Sequence, residues 1–153
     1  MKAIFPGSFD PMTNGHMSVL ERALPLFEQI YVSIGINSSK KAMFSMEQRK
    51  QWIEKVFENE SRIAVSTYEG LTVDHCRSVG ANFIIRGIRN SFDMEYERSI
   101  AQMNRDMDPD IDTIFFVPKP IDSAISSTIV RDIIANGGDV APYLPKEIRI
   151  EQP

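Results

Sequence analysis

His16 closes the string Phe5-Pro6-Gly7-Ser8-Phe9-Asp10-Pro11-Met12-Thr13-Asn14-Gly15-His16, the densest run of chemically useful residues in the chain. An imidazole near the first turn of a helix joins unpaired N–H groups and the positive end of the helix dipole, a setting that favours an anion. Such a ring can donate to a phosphate oxygen as charge builds up there. Gly7 and Ser8 let the backbone approach a ligand, and Gly15 leaves room above the helix start. Arg86-Gly87-Ile88-Arg89 sets two guanidinium groups three residues apart, and the planar fork of arginine suits bidentate contact with phosphate. Lys40, in Asn37-Ser38-Ser39-Lys40-Lys41, supplies a mobile point charge. Ser126-Ser127-Thr128 offers hydroxyls and N–H groups at a helix start, a second cradle for phosphate. Taken singly, these are a capping histidine, two solvated arginines, a solvated lysine and an N-cap. Together they point to phosphate binding.

Elements with short connections must bring these segments together. Ala3–Phe5, Ile30–Ile36, Arg62–Thr67, Asn82–Arg86 and Thr113–Val117 read as strands, short and rich in Ile, Val, Phe or Tyr. Ser45-Met46-Glu47-Gln48 has the form of a capping box. It opens a helix in which Trp52, Ile53, Val56 and Phe57 share one stripe. Leu71–Val79 reads as a helix stopped by Gly80, and Phe92–Met107 as one stopped by Asp108-Pro109. Ser127 or Thr128 is expected to cap Ile129–Ala135, and Pro25 to kink the first helical pattern, His16–Phe27, or end it early. Strands alternating with helices predict one α/β domain over residues 1–153, Rossmann-like, with a five-stranded parallel sheet and helices on both faces. Ligands of such sheets bind beyond the carboxyl ends of the strands. The candidate residues sit just after strands.

Composition narrows the rest. The chain of 153 residues carries 17 Lys+Arg against 21 Asp+Glu, a net charge of −4. That balance argues against a broad nucleic-acid or membrane-surface binder but permits a small anionic ligand. The single cysteine, Cys76, excludes an internal disulfide framework and a cysteine-cluster metal site. No apolar run is long enough for a membrane span, and Pro6 interrupts the start before a signal-peptide core forms, so a cytoplasmic protein is expected. His75 is expected at the surface and Cys76 in the core, with Asp74 beside them at no metal-ligand spacing. Asp10 has two readings, a carboxylate within reach of magnesium or the turn residue before Pro11.

The form P-G-S-F-D-P-x-T-x-G-H resembles the T-x-G-H version of the H-x-G-H signature of nucleotidyltransferases, and looks like that of the bacterial phosphopantetheine adenylyltransferase family. The likeness continues through Ser39-Lys40-Lys41, Ile85-Arg86-Gly87-Ile88-Arg89, Glu95-Tyr96-Glu97, Met103-Asn104-Arg105 and Ile125-Ser126-Ser127-Thr128, in order and at matching spacing. There are departures. Ser8 stands where many members have threonine, Ala42 replaces a common proline, and Asp122-Ser123-Ala124 replaces a more aromatic stretch.

The resemblance implies transfer of an adenylyl group from ATP to 4′-phosphopantetheine, giving dephospho-coenzyme A and pyrophosphate by direct in-line attack. It implies catalytic roles for His16, Lys40 and Arg89. The acceptor contacts it implies are Ser8, Lys40, Thr72 and Arg86. The ATP site it implies comprises Ser8, Phe9, His16, Gly87, Ile88, Arg89, Glu97, Asp122, Ser123, Ala124, Ile125, Ser126, Ser127 and Thr128. Magnesium is expected to be held mainly by ATP phosphates and water, with no protein ligand set. A homohexamer and feedback inhibition by coenzyme A are further implications; nucleic acid and membrane are not expected partners. Two other readings share the pattern: an adenylyl- or cytidylyltransferase of the same fold acting on another acceptor such as nicotinamide mononucleotide, and a non-enzymatic nucleotide sensor.

Overall fold

A computed structural model describes residues 1–36 and 41–150. Lys40 therefore lies outside the described residues. The strands are β1 (Lys2–Gly7), β2 (Gln29–Gly35), β3 (Ile63–Tyr68), β4 (Phe83–Gly87) and β5 (Asp112–Phe116). They form one sheet in the order β3-β2-β1-β4-β5, with every neighbouring pair parallel. The helices are α1 (Asn14–Ala23), α2 (Met46–Val56), α3 (Thr72–Val79), α4 (Ser91–Met107) and α5 (Ser127–Ala135). Chain order reverses direction across the sheet between β1 and β4, which opens a crevice at their carboxyl ends.

Period-two alternation in the strands builds a core on each face. Phe5, Val32 and Ile85 point to one side and pack with Leu20 of α1, Ile53 of α2 and Val130 of α5. Ile4 and Ile84 point to the other and pack with Val73 and Cys76 of α3. Each such fully buried aliphatic side chain contributes roughly 1.5–3 kcal/mol. Cys76 is a core residue as expected, and burial pushes its thiol up to about 12.

Local signals set the boundaries. α1 ends at Ala23, and Pro25 sits in a single 3₁₀ turn, Leu24–Leu26, as expected of a residue that removes a helix donor. Ser45 Oγ accepts from the N–H of Gln48 to cap α2 at 3.2 Å. Gly80 ends α3 in the left-handed conformation, φ 65°.

Two expectations need correction. The cap of α5 is Ser126, whose Oγ accepts from Ile129 N–H, and not Ser127 or Thr128. Ser127 is already helical, and its hydroxyl donates instead to the carbonyl of Pro11 at 2.7 Å. His75 is buried rather than at the surface. Its ring enters the sheet face because Ser33 and Ser66 offer it hydroxyl partners there.

Candidate active site

Two adjoining clefts open at the β1/β4 crevice and share Pro6, Gly7, Ser8, Arg86, Glu97, Ser127 and Thr128. One extends over β2 and β3 to Gly35, Tyr68, Thr72 and Asn104. The other runs over α1 to Gly15, His16, Gly87, Arg89, Ile125 and Ser126.

The floor is made by the turn after β1. Phe9 takes φ 45°, in the left-handed region, while its ring is buried at 5.4 Å from Phe5 and edge-on to His16 at 5.1 Å. A Cβ at Gly7 would stand 2.9 Å from Phe9 Cζ, so only glycine lets the ring pass beneath the backbone. Phe9 is 1% exposed and lines neither cleft. Gly15 answers a similar constraint, since a Cβ there would stand 2.6 Å from the carbonyl oxygen of Ile125. That close approach brings the start of α1 against the segment leading into α5.

His16 is the third residue of α1. The backbone N–H of Thr13 donates to His16 Nδ1 at 3.0 Å, and the Thr13 hydroxyl lies 3.0 Å from the same nitrogen. Nδ1 is thereby an acceptor, which leaves the proton on Nε2 of a residue that lines the cleft over α1. Burial, with Arg86 and Arg89 nearby, lowers the pKa of His16 from 6.5 to about 4. The ring is neutral at pH 7 and offers one N–H donor.

Arg86 is held from two sides. Its Nε and Nη2 donate to the Glu97 carboxylate, Nε at 2.7 Å, and Nη1 donates to the Pro6 carbonyl at 2.7 Å. Among the described residues three of five guanidinium protons find partners, so one on each Nη is left for an anion. Glu97 lines both clefts but acts on the site through Arg86. Arg89 is more exposed and folds onto Asp93, with its Nε 2.9 Å from Oδ2.

The sequence did not mark the supports around these groups. The Asp10 carboxylate accepts from the backbone N–H of Met43 at 2.8 Å and of Phe44 at 2.9 Å. It therefore ties the segment just after Lys40 to the turn after β1. Arg131 of α5 donates to the Asp10 carbonyl at 2.7 Å, and Arg49 of α2 to the Ser8 carbonyl at 2.7 Å. An aspartate followed by proline gives no sign of partners more than 30 residues away. Of the carboxylates that line the clefts, Asp10, Asp93 and Glu97 are thus occupied by N–H donors, and Glu69 lines the cleft over β2 and β3 beside them.

The expected residues are distributed unevenly. Ser8, His16, Thr72, Arg86, Gly87, Arg89, Glu97, Ile125, Ser126, Ser127 and Thr128 all line the clefts. Ile88 donates its N–H to the Phe116 carbonyl at 2.9 Å and stands behind the wall. Asp122, Ser123 and Ala124 form the turn behind Ile125, where the Asp122 carbonyl accepts from Ile125 N–H at 3.0 Å. Among the described residues no three His, Cys, Asp or Glu side chains converge as a metal site would require.

A neutral imidazole donor, two arginines and a helix start around one crevice make a setting suited to anions on an α/β nucleotidyltransferase fold. Residues 4–133 match the model of the Cytidylyltransferase-like family. A bifunctional NMN adenylyltransferase/ADP ribose pyrophosphatase from Francisella tularensis superposes with a TM-score of 0.74 at 20% identity, over 96% of this chain and 45% of that one. A putative nicotinate-nucleotide adenylyltransferase from Vibrio parahaemolyticus does so with a TM-score of 0.71 at 19% identity, over 94% and 86%. At those identities the likeness speaks for the fold alone.

Closer relatives define the particular family. A protein of Flavobacterium psychrophilum named phosphopantetheine adenylyltransferase is 49% identical over 98% of this chain and 99% of its own. One of the same name from Christiangramia forsetii is 50% identical over 97% of each chain. The chain belongs to the phosphopantetheine adenylyltransferases, enzymes of the nucleotidyltransferase class.

Proposed function

We propose that this enzyme joins ATP and 4′-phosphopantetheine by direct in-line attack, forming dephospho-coenzyme A and pyrophosphate. An oxygen of the acceptor phosphate forms a bond to the α-phosphorus of ATP while the bond from that phosphorus to the β-bridging oxygen breaks. The nucleophile is already anionic, so no general base and no covalent enzyme intermediate are needed. Catalysis then consists of holding the two phosphates in line and stabilising charge on the five-coordinate phosphorus. The observation that carries this reading is the Nε2–H of His16, a neutral donor fixed by Thr13 in the cleft that Arg86 and Arg89 also line.

In this scheme His16 donates to a non-bridging α-oxygen, and Arg86 receives the acceptor phosphate on its two remaining protons. Arg89 takes the leaving phosphates, while the N–H groups of Ser126–Thr128 and the backbone from Ser8 to Phe9 cradle ATP. Lys40 bridges acceptor and α-phosphate. ATP therefore occupies the cleft over α1, and the acceptor the cleft that reaches Thr72. Magnesium bound with ATP supplies positive charge to the phosphates. The engagement of Asp10, Asp93 and Glu97 by N–H donors leaves Glu69, on the acceptor cleft, as the other lining carboxylate, and supports an ion held mainly by phosphates and water.

Coenzyme A shares the pantetheine arm of the product, so its binding to the same clefts as an inhibitor belongs to the same proposal. A cytoplasmic homohexamer belongs to it too. The exposed stripe Phe92, Tyr96, Ile100, Met103 and Met107 along α4 supports self-association. Among the described residues no helix is long and apolar enough to cross a membrane.

Pyrophosphate release with phosphopantetheine, pantetheine and S-alkylated phosphopantetheine tests the scheme. The first should turn over, the second should fail for lack of an anionic nucleophile, and the third should lose little because the thiol takes no part in bond making. Comparable turnover with pantetheine would overturn the mechanism. Activity with nicotinamide mononucleotide and none of these three would overturn the acceptor.

A further inference from the structure

A second polar assembly lies on the α3 side of the sheet, beside the cleft and unused by the chemistry above. Ser33 of β2 and Ser66 of β3 are partners in the parallel register and face the same side. Their hydroxyl oxygens are 2.9 Å apart, and Ser33 is fully buried. His75 of α3 places Nε2 3.0 Å from Ser33 Oγ and 3.2 Å from Ser66 Oγ. A buried serine, a half-buried one and a buried histidine carry a desolvation cost that an aliphatic trio would avoid, offset here by mutual hydrogen bonding. What the assembly holds is an aromatic ring. Tyr68 lies flat on the His75 imidazole, with centroids 4.5 Å apart and planes 7° from parallel. Its hydroxyl reaches Thr72 Oγ1 at 3.1 Å, and both residues line the cleft over β2 and β3.

We propose that Tyr68 is a positioning residue for the acceptor: clamped by the Ser33–Ser66–His75 assembly, it orients the hydroxyl of Thr72 toward an amide of the acceptor's uncharged arm. This rests on the reading of that cleft as the acceptor site. A free threonine hydroxyl rotates among three staggered positions. A fixed bond to Tyr68 takes one of its hydrogen-bonding directions and so sets the others. Tyr68 is the last residue of the edge strand β3, where the sheet ends and the cleft begins. Its partner in the register is Gly35, where a Cβ would come within 3.4 Å of the Tyr68 hydroxyl. The ring is thus stacked on His75 by one face, and the β2 backbone at Gly35 runs beside it. Phosphopantetheine carries two secondary amides between its phosphate and its thiol, and each has a donor and an acceptor for such a hydroxyl.

A double-mutant cycle on the full chain tests this. Tyr68→Phe keeps the stacked ring and removes only the hydroxyl; Thr72→Val keeps the shape of Thr72 and removes its hydroxyl. Tyr68→Phe should raise KM for phosphopantetheine roughly 3–10-fold, the worth of one neutral hydrogen bond. KM for ATP should stay within about twofold. In the Thr72→Val background the same change should have no further effect, because Tyr68 acts through Thr72. An unchanged acceptor KM, a loss shared equally with ATP, or an additive loss in the double variant would each overturn the proposal. Wild-type activity with phosphopantetheine is measured first. If it is absent, the acceptor assignment falls and the proposal with it; if it is present, the cycle decides the role of Tyr68 alone.

Discussion

The backbone N–H of Thr13 and the Nδ1 of His16 form a 3.0 Å hydrogen bond across the first turn of α1. A helix start has donors to spare, and here one of them is spent on the side chain of the residue that faces the cleft. The bond fixes both the rotamer and the tautomer of His16. It keeps Nδ1 unprotonated and the Nε2 proton available, so a neutral ring can act as a donor without first gaining a proton. Position 13 therefore sets the orientation and tautomer of the ring at position 16.

His16→Ala should fold and bind ATP but turn over slowly. Loss of one well-placed donor to a developing oxyanion typically lowers the rate about 10²–10³-fold. Steady-state pyrophosphate release, with ATP affinity measured by calorimetry, separates the two effects. A variant that keeps half of wild-type turnover would remove His16 from the mechanism.

Stability should carry the mark of the same residue. Its pKa falls from 6.5 in the unfolded chain to about 4 in the folded one. Between these values the unfolded state binds more protons, so stability is full above pH 6.5 and is lost as pH falls toward 4. At about 1.4 kcal/mol per pH unit, the loss from this group reaches at most about 3 kcal/mol. Urea unfolding of the wild type and His16→Gln at pH 7, 6 and 5 should show a steeper decline in the wild type. Activity should show no inflection from His16 between pH 6 and 8.

The two arginines should separate by ligand. Arg86→Ala should weaken phosphopantetheine roughly 10–100-fold, because a charge-assisted contact of about 1.5–3 kcal/mol is lost. It also leaves the carboxylate of Glu97 unpaired in a largely buried position, so a lower melting temperature should accompany it. Arg89→Ala should weaken ATP instead, and with its side chain 39% exposed it should cost little stability. Calorimetric titration of each variant with each ligand, beside thermal melting, checks both halves.

Asp10→Ala should damage turnover without touching any substrate directly. The carboxylate, 7% exposed, holds the N–H groups of Met43 and Phe44, which follow Lys40 by three and four residues. Its removal should lower kcat with a smaller change in KM for ATP, and Asp10→Asn, which retains one acceptor oxygen, should recover part of the loss. A variant with full kcat would show that the tie between Asp10 and the segment 43–44 is dispensable.

Gly15→Ala should be costly for a residue on a helix surface. The added methyl would meet a backbone carbonyl at 2.6 Å, which cannot rotate aside as a side chain would. Overpacking of this kind costs about 1–3 kcal/mol. Thermal melting should register it, and ATP affinity should fall, since α1 and the segment before α5 are forced apart at the ATP cleft.

Features carried by local pattern were present in the sequence itself. Five short apolar runs became the five strands within a residue or two at each end, because a strand buried on both faces must be apolar almost throughout. Pro25, Ser45 and Gly80 set boundaries through the φ angles and hydrogen bonds they allow or forbid, which depend only on neighbours in the chain. Even the choice of Ser126 over Ser127 as the cap of α5 turned on tertiary structure, since the carbonyl of Pro11 claims the second hydroxyl. His75 shows the same limit: nothing beside it in sequence announces Ser33, 42 residues away, as the partner that makes its burial tolerable. The types and order of the phosphate-binding residues were legible because each follows a strand, and strand ends meet at the crevice. Which N–H of Arg86 stays free and what Asp10 holds were decided by the tertiary structure alone. Each of these depends on where a distant donor or acceptor comes to rest, and only packing of the two faces against the sheet brings those groups within 3 Å.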